Sequence, residues 1–375
     1  MRRALEAALT LPGVLLLALA ARATPAWFDE HVVIPAYYLP PPSWTLPALR
    51  GVIAALGLIF ILVLRPLAGR AAARLGPRET IAATARIAIA LLLSFAVAEG
   101  ALRFVDKPDV QAPHPRLESR LGQADPRLGW ALSPRRTSAV QMSPQLPAIE
   151  YAVDANGDRA SSPGFLEDPA RRTIVITGES IAFGHGLPWR DTIAARLEEM
   201  TGAQVLVVAV GGYGSDQAYL RAMDALARLQ HPIAIVTFVL PVQLSRNLHD
   251  YRPRLGLEGD RLVALPAVES RLRLRNLLVN ELRYLSSRKL AESVALTRRI
   301  LEETERAARS HGARALFVAP SFGAPPAPVI AALLDGLPHV AVQLDRSRLL
   351  PYDGHPDAEG ARQIARAIAQ YVNSP

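Results

Sequence analysis

Thr173-Ile174-Val175-Ile176-Thr177-Gly178-Glu179-Ser180 is the stretch whose reading decides the fold. Thr173 to Thr177 is an uncharged, β-branched run. Such a run suits an inner strand of a parallel sheet, which is covered on both faces. Gly178 permits a sharp bend, and Ser180 falls at the turn. Ile181 to Gly186 continues the loop, and Asp191 to Met200 then has helical spacing, with Ile193, Ala194 and Leu197 on one face. Ligands of open α/β sheets sit beyond the carboxyl ends of the strands, so Ser180 is a candidate nucleophile. A serine in a glycine-flanked turn is also ordinary turn chemistry. The assignment therefore needs a base and oxyanion donors elsewhere in the chain.

Downstream, apolar strands alternate with helical stretches. Gln204 to Val210 is a second strand ending in Gly211-Gly212-Tyr213-Gly214-Ser215-Asp216-Gln217. A glycine-rich loop in that place can offer backbone N–H groups to an anion, but no Lys-Ser/Thr pair follows to make it a phosphate loop. Tyr219 to Leu229 is helical, and Ile233 to Leu240 is a third strand leading into Pro241-Val242-Gln243. Residues 250–270 read as an irregular charged insertion, and 271–310 as helix in two pieces. Ala313 to Ala319 and His339 to Leu344 are further strands, with a proline-rich loop at 320–328. The alternation predicts a parallel α/β sheet with right-handed crossovers. The chain ends in Tyr352-Asp353-Gly354-His355-Pro356-Asp357 before a helix with Ile364, Ala365, Ile368 and Val372 on its buried stripe, Pro356 suiting its first position. His355 with Asp353 two residues away is a candidate base with its orienting acid. His185 and His249 are rival bases.

Before residue 104 lie three apolar stretches, about 4–21, 44–64 and 81–102. Each approaches the roughly 20 residues needed to cross a bilayer. Glu6 and Pro12 interrupt the first, Arg50 the second, and Arg86 and Glu99 the third. Glu99 and Arg103, four apart, can pair on one helix face. Arg65, Arg70, Arg74 and Arg78 follow the second stretch, whereas Arg22 is set against Asp29 and Glu30 after the first. Positive charge marks the cytoplasmic side. The sequence therefore predicts a multi-pass protein of the cytoplasmic (inner) membrane with everything after about 104 on the periplasmic, extracytoplasmic side. The alternative takes the first stretch as a signal peptide ending near Ala21-Arg22-Ala23; the domain then lies on the same side. The expected regions are 1–104, a membrane segment; 105–150, an extended linker and edge segment; and 151–375, the α/β domain. Within the linker, Asp125-Pro126-Arg127-Leu128-Gly129-Trp130 is a turn carrying an aromatic, and Asn156-Gly157 just beyond it is a hairpin signal.

Composition excludes several classes. There is no cysteine among the 375 residues, so thiolate catalysis, disulfides and thiolate metal sites are ruled out. The formal net charge of +8 is mostly arginine scattered over loops and helix faces, with no basic block of the kind that binds nucleic acid. No His/Asp/Glu group has metal-ligand spacing along the chain. The expectation is no metal, no cofactor and no nucleic-acid partner, with the lipid bilayer as the partner of the N-terminal helices.

Gly178-Glu179-Ser180, Gly212 within Gly211-Gly212-Tyr213-Gly214, and Asp353 with His355 resemble the first, second and last blocks of the SGNH (GDSL-like) hydrolase superfamily, over roughly residues 120–373. The segments at Asp125–Trp130 and Asn156-Gly157 are similar to those of its membrane-anchored bacterial members. The resemblance implies a flavodoxin-like three-layer α/β/α sandwich. It also implies catalysis by Ser180, His355 and Asp353, with the oxyanion held by backbone N–H groups of Ser180 and Gly212. Three departures stand out: Glu179 replaces the usual Asp, the third-block Asn is missing with Val242 and Gln243 in its place, and Asp353 and His355 are two apart rather than three. Gln243 is then the candidate third donor. The implied function is a membrane-anchored extracytoplasmic serine esterase acting on a small-molecule or glycan ester. The alternatives are an O-acyltransferase for an exported glycan, working with a membrane acyltransferase partner, and a non-catalytic glycan-binding or scaffold protein.

Overall fold

The computed structural model describes residues 2–24, 45–74, 76–105, 121–142, 147–249, 252–267, 272–274, 287–323, 325 and 327–374. The expected connector between 106 and 120, the stretch 275–286, positions 324 and 326, and the loop acids Asp29 and Glu30 lie outside them. The chain forms two compact units, one of residues 1–106 with 270–288 and one of 107–269 with 289–375.

In the first unit, helices cover all three apolar stretches: α1 (Arg2–Arg22), α2 (Thr45–Leu58), α3 (Arg65–Arg74) and α4 (Pro77–Val105). A π-helical segment, Ile59–Leu64, joins α2 to α3 just ahead of Pro66, whose ring lacks an N–H and crowds the preceding turn. Among the described residues one helix, Pro47–Arg74, is long and apolar enough to cross a membrane, and Leu9–Arg22 is a shorter apolar helix. The first and third of the expected stretches do not meet that length and apolarity among the described residues. Glu6 and Pro12 break up the apolar run of α1, and Arg78, Glu79, Arg86, Glu99 and Arg103 dilute that of α4. Small residues let α1 and α2 approach closely: a Cβ built on Gly13 would meet the Gly57 carbonyl at 2.9 Å, and one on Gly57 would meet the Gly13 carbonyl at 2.9 Å. Arg103 Nε donates to Glu99 Oε1 at 3.0 Å, the expected i,i+4 pair, and Glu99 also accepts from the backbone N–H groups of Arg273 and Leu274.

The second unit is an α/β sandwich. Its elements are β1 (Gly122–Asp125), β2 (Gly129–Leu132), β3 (Thr137–Val140), β4 (Ile149–Val153), β5 (Arg159–Ala160), β6 (Thr173–Thr177), α5 (Ser180–Phe183), α6 (Ile193–Thr201), β7 (Gln204–Val207), α7 (Ser215–Leu226), β8 (Pro232–Phe238), α8 (Pro241–Arg246), β9 (Arg254–Glu258), β10 (Arg261–Leu265), α9 (Ser287–Ser310), β11 (Arg314–Phe322), α10 (Pro328–Leu334), β12 (His339–Leu344) and α11 (Ala358–Asn373). The main sheet has the order β12-β11-β8-β6-β7-β5-β4-β3. The strands from β12 to β7 pair in parallel, and β5, β4 and β3 extend the edge antiparallel. Taken in chain order, the parallel strands read 2-1-3-4-5, the flavodoxin-like winding, with its switch point between β6 and β8. That is the fold class the resemblance implies.

Alternation along β6 builds the layers. Ile174 and Ile176 pack with Ile193, Leu197, Ile364 and Ile368 of α6 and α11. On the opposite face, Ile235 of β8 packs with Leu226, Leu301 and Leu333 of α7, α9 and α10. Two expectations shift. Residues 121–150, expected as linker and edge, carry β1, β2, β3 and the start of β4, the last two in the main sheet. The insertion expected as irregular is a hairpin, β9 paired with β10 from Arg254↔Leu265 to Glu258↔Arg261; its turn residues Gly259 and Asp260 are a hairpin signal overlooked among the charges.

Gly178 ends β6 at φ +144°, and a Cβ there would lie 2.9 Å from Phe238 Cβ. Gly178→Ala is therefore expected to destabilise the domain by about 1–3 kcal/mol, read as a lower urea midpoint with unchanged slope.

Candidate active site

Ser180 follows β6 and opens the single-turn helix α5, whose N-cap is Glu179. His355 and Asp353 lie between β12 and α11, in a loop closed by Leu350 N–H donating to the His355 carbonyl at 2.6 Å. Asp357, rather than Pro356, caps α11, its Oδ1 accepting from Gly360 N–H at 2.7 Å. This puts the helix start two residues beyond the position expected for Pro356.

Although 175 positions apart in sequence, Ser180 and His355 meet: His355 Nε2 is 2.8 Å from Ser180 Oγ. On the other side of the ring, His355 Nδ1 is 3.2 Å from Asp353 Oδ2. The two-residue spacing works because the loop doubles back, with Gly354 at φ +77° and Asp353 Oδ1 accepting the His355 backbone N–H at 3.0 Å. Hydroxyl, imidazole and carboxylate thus form one relay at the switch point of the sheet.

Three residues in this constellation go beyond the sequence expectation. Glu179 contacts Ser180 Oγ through Oε2, while its Oε1 accepts from Ile181 N–H. Glu179 therefore competes with His355 for the hydroxyl proton. His185, expected only as a rival base, turns to the acid instead: its Nε2 is 2.9 Å from Asp353 Oδ2, and its ring centroid is 4.3 Å from that of His355. Burial lowers the His185 pKa, helped by the neighbouring His355 and opposed by the hydrogen bond to Asp353. Burial alone would raise the Asp353 carboxyl, but the hydrogen bonds from His185 and His355 prevail and hold it well below the usual carboxylate range. Asp353 is thus an anion lying between two imidazoles, 2.9 Å from His185 Nε2 and 3.2 Å from His355 Nδ1. Next to it, burial first and then the Asp353 charge push the Tyr352 phenol up to about 12, so it stays protonated.

The third is Arg159, on the antiparallel edge just after the Asn156-Gly157 hairpin signal. Its buried guanidinium donates to the carbonyls of Phe183, Gly184 and Leu187 at 2.5, 2.6 and 2.6 Å. It also lies 4.6 Å from the ring centroids of both Tyr151 and Phe183. Tyr151 Oη accepts from Gly186 N–H at 2.9 Å. Strands β4 and β5 thereby pin the loop that carries His185. Arg159→Met leaves buried carbonyls without donors. The expected result is a loss of about 2–4 kcal/mol in stability, checked by thermal unfolding.

The glycine loop is braced in the same way. Trp130 Nε1 donates to the Gly211 carbonyl at 3.3 Å, Tyr213 Oη donates to the Trp130 carbonyl at 2.8 Å, and Gln217 Nε2 donates to the Leu128 carbonyl at 2.7 Å. The hairpin β1–β2 therefore holds Gly212, which sits at φ +80°. Gln243 is buried; its Oε1 accepts from Leu240 N–H at 3.0 Å, capping its own helix, and its Nε2 has no partner among the described residues. His249 follows α8, its backbone N–H donating to the Arg246 carbonyl at 3.2 Å; the imidazole that reaches Ser180 is that of His355.

No protein-family model matches this chain, and no curated protein does. Among solved structures it is similar to a lipolytic protein described as G-D-S-L family from Desulfitobacterium hafniense, at 12% identity and TM-score 0.32, over 53% of this chain and 98% of that one. It is also similar to an acetyl xylan esterase from the rumen bacterium Butyrivibrio proteoclasticus, at 11% identity and TM-score 0.33, over 56% of this chain and 65% of that one.

Proposed function

We propose that this chain is a membrane-anchored serine esterase that cleaves an O-acyl ester through Ser180, His355 and Asp353. The observation that carries the proposal is the continuous relay, 2.8 Å from Ser180 Oγ to His355 Nε2 and 3.2 Å from His355 Nδ1 to Asp353 Oδ2. Ser180 Oγ attacks the ester carbonyl as His355 Nε2 takes its proton. Asp353 orients the ring and stabilises the imidazolium. The backbone N–H groups of Ser180 and Gly212 receive the tetrahedral oxyanion. Gln243 supplies its Nε2 as third donor, since its Oε1 is already occupied. Collapse expels the alcohol, which takes the proton from His355. Water then repeats the sequence on the acyl-enzyme and releases the acid.

In this proposal Pro47–Arg74 anchors the protein in lipid. Arg65, Arg70, Arg74 and Arg78 stay on the cytoplasmic side, and in this proposal α4 is a second crossing despite Arg86 and Glu99 within it, so that the site lies outside. An alkaline phosphatase reporter fused after residue 374 is expected to be active; an inactive, stably expressed fusion would refute the orientation.

The chemistry is tested with a fluorophosphonate probe on the full-length protein in detergent, the labelled residue being mapped by mass spectrometry. Labelling at Ser180 that His355→Ala abolishes supports the esterase. A folded protein that takes no label refutes it and favours a non-catalytic role.

A further inference from the structure

An esterase relay needs one imidazole on its carboxylate, and this site has two. Asp353 Oδ2 is 2.9 Å from His185 Nε2 and 3.2 Å from His355 Nδ1. One ligand atom from each of the three residues lies within 4.8 Å of the others. Donor atoms on a tetrahedral Zn²⁺, at bond lengths of about 2.0–2.1 Å, stand ~3.3 Å apart. Both measured edges reach that value with shifts of a few tenths of an ångström. Two imidazoles and a carboxylate are also a donor set that suits zinc, with a fourth position left open.

We propose that His185, Asp353 and His355 form a Zn²⁺-binding site, and that occupancy switches the relay off; the second half of this proposal rests on the esterase reading, the first does not. Each imidazole stays neutral on binding the metal, and its single proton moves to its other nitrogen. For His355 the metal takes the Nδ1 lone pair, so the proton sits on Nε2. That nitrogen is 2.8 Å from Ser180 Oγ and, now a donor, cannot accept the hydroxyl proton. For His185 the proton moves to Nδ1, which has no acceptor among the described residues. A missing outer hydrogen bond weakens metal sites by about 10–100-fold, so the affinity is expected to be on the order of micromolar. The site is therefore a reversible brake.

The test is titration of ZnCl₂ into chelator-stripped, full-length protein in detergent, followed by calorimetry and, in parallel, by fluorophosphonate labelling. One Zn²⁺ per chain is expected. Labelling should fall with the same midpoint and return with EDTA. Ser180→Ala removes no ligand and should bind Zn²⁺ as the wild type does. His185→Phe and Asp353→Asn should each weaken binding at least tenfold. The latter lies in a partly exposed loop and carries the test if the buried substitution does not fold. No stoichiometric binding, or unchanged affinity in a folded variant of either residue, overturns the site. Binding without loss of labelling overturns the switch. If the metal-free protein takes no label at all, the esterase reading fails while the isotherm still decides the metal site.

Discussion

Ser180→Ala is expected to lower ester cleavage by at least about 10⁴-fold, the scale seen when a serine nucleophile is removed from such a relay. The hydroxyl is the atom that attacks, and nothing else in the relay carries a nucleophile. The fold should survive. The Ser180 hydroxyl contacts Glu179 and His355 side chains, and losing a half-exposed hydrogen bond costs about 1 kcal/mol. His355→Ala should fall by a similar factor, and the double variant only slightly further, because hydroxyl and base act as one unit. Progress curves for a short-chain aryl ester, at enzyme concentrations high enough to see about 0.01% of wild-type turnover, check all three. A double variant that loses the two single effects in sequence would mean that the pair is not coupled.

Asp353→Asn is the second large effect, expected at about 10⁴-fold in kcat. Asp353 Oδ1 accepts the His355 backbone N–H, and Oδ2 faces two imidazole nitrogens. An asparagine that keeps the first contact turns its NH₂ toward both rings. A ring facing a donor must put its proton on the far nitrogen, and for His355 that is Nε2, where the base function is lost. The change is one of tautomer, so raising the pH should not restore activity.

Stability should report the same charges with a defined sign. Asp353 is held below the usual range when folded. Its contribution is therefore present above the unfolded carboxyl value of about 3.9 and is lost as pH falls through the folded value. His185 is likewise lowered. The stability that goes with its neutral form is full above about 6.5 and declines below it, because the unfolded ring then binds the proton more readily. Urea unfolding of the wild type should weaken from about pH 6.5 downward. The gap between wild type and Asp353→Asn should stay open through pH 5 and narrow below about pH 4. A gap that persists unchanged at pH 3 would show that the Asp353 charge does not stabilise the fold.

The sequence by itself determined the parallel α/β class, because Thr173 to Thr177, Gln204 to Val210 and Ile233 to Leu240 are apolar runs too short for helices and separated by amphipathic ones. It also singled out Ser180, His355 and Asp353, since Ser180 follows a strand and Gly178, and Gly354 separates Asp353 from His355 just before a helix. Hydropathy along one chain marked three apolar stretches; among the described residues one helix, Pro47–Arg74, is long and apolar enough to cross a membrane.

What only the tertiary structure decided is which distant side chains share a hydrogen bond. His185 is five residues from the nucleophile, a spacing that said nothing about the 2.9 Å contact with Asp353. Arg159 follows the Asn156-Gly157 hairpin signal near the start of the expected domain, yet strand pairing brings it under the loop after Ser180. Gln243 could be aligned with an oxyanion donor, but its own helix cap already holds one end of the amide. Local propensity acts over a few residues, whereas these roles depend on the winding order of the sheet, which brings the ends of β6, β7 and β8 and the approach to α11 to one edge.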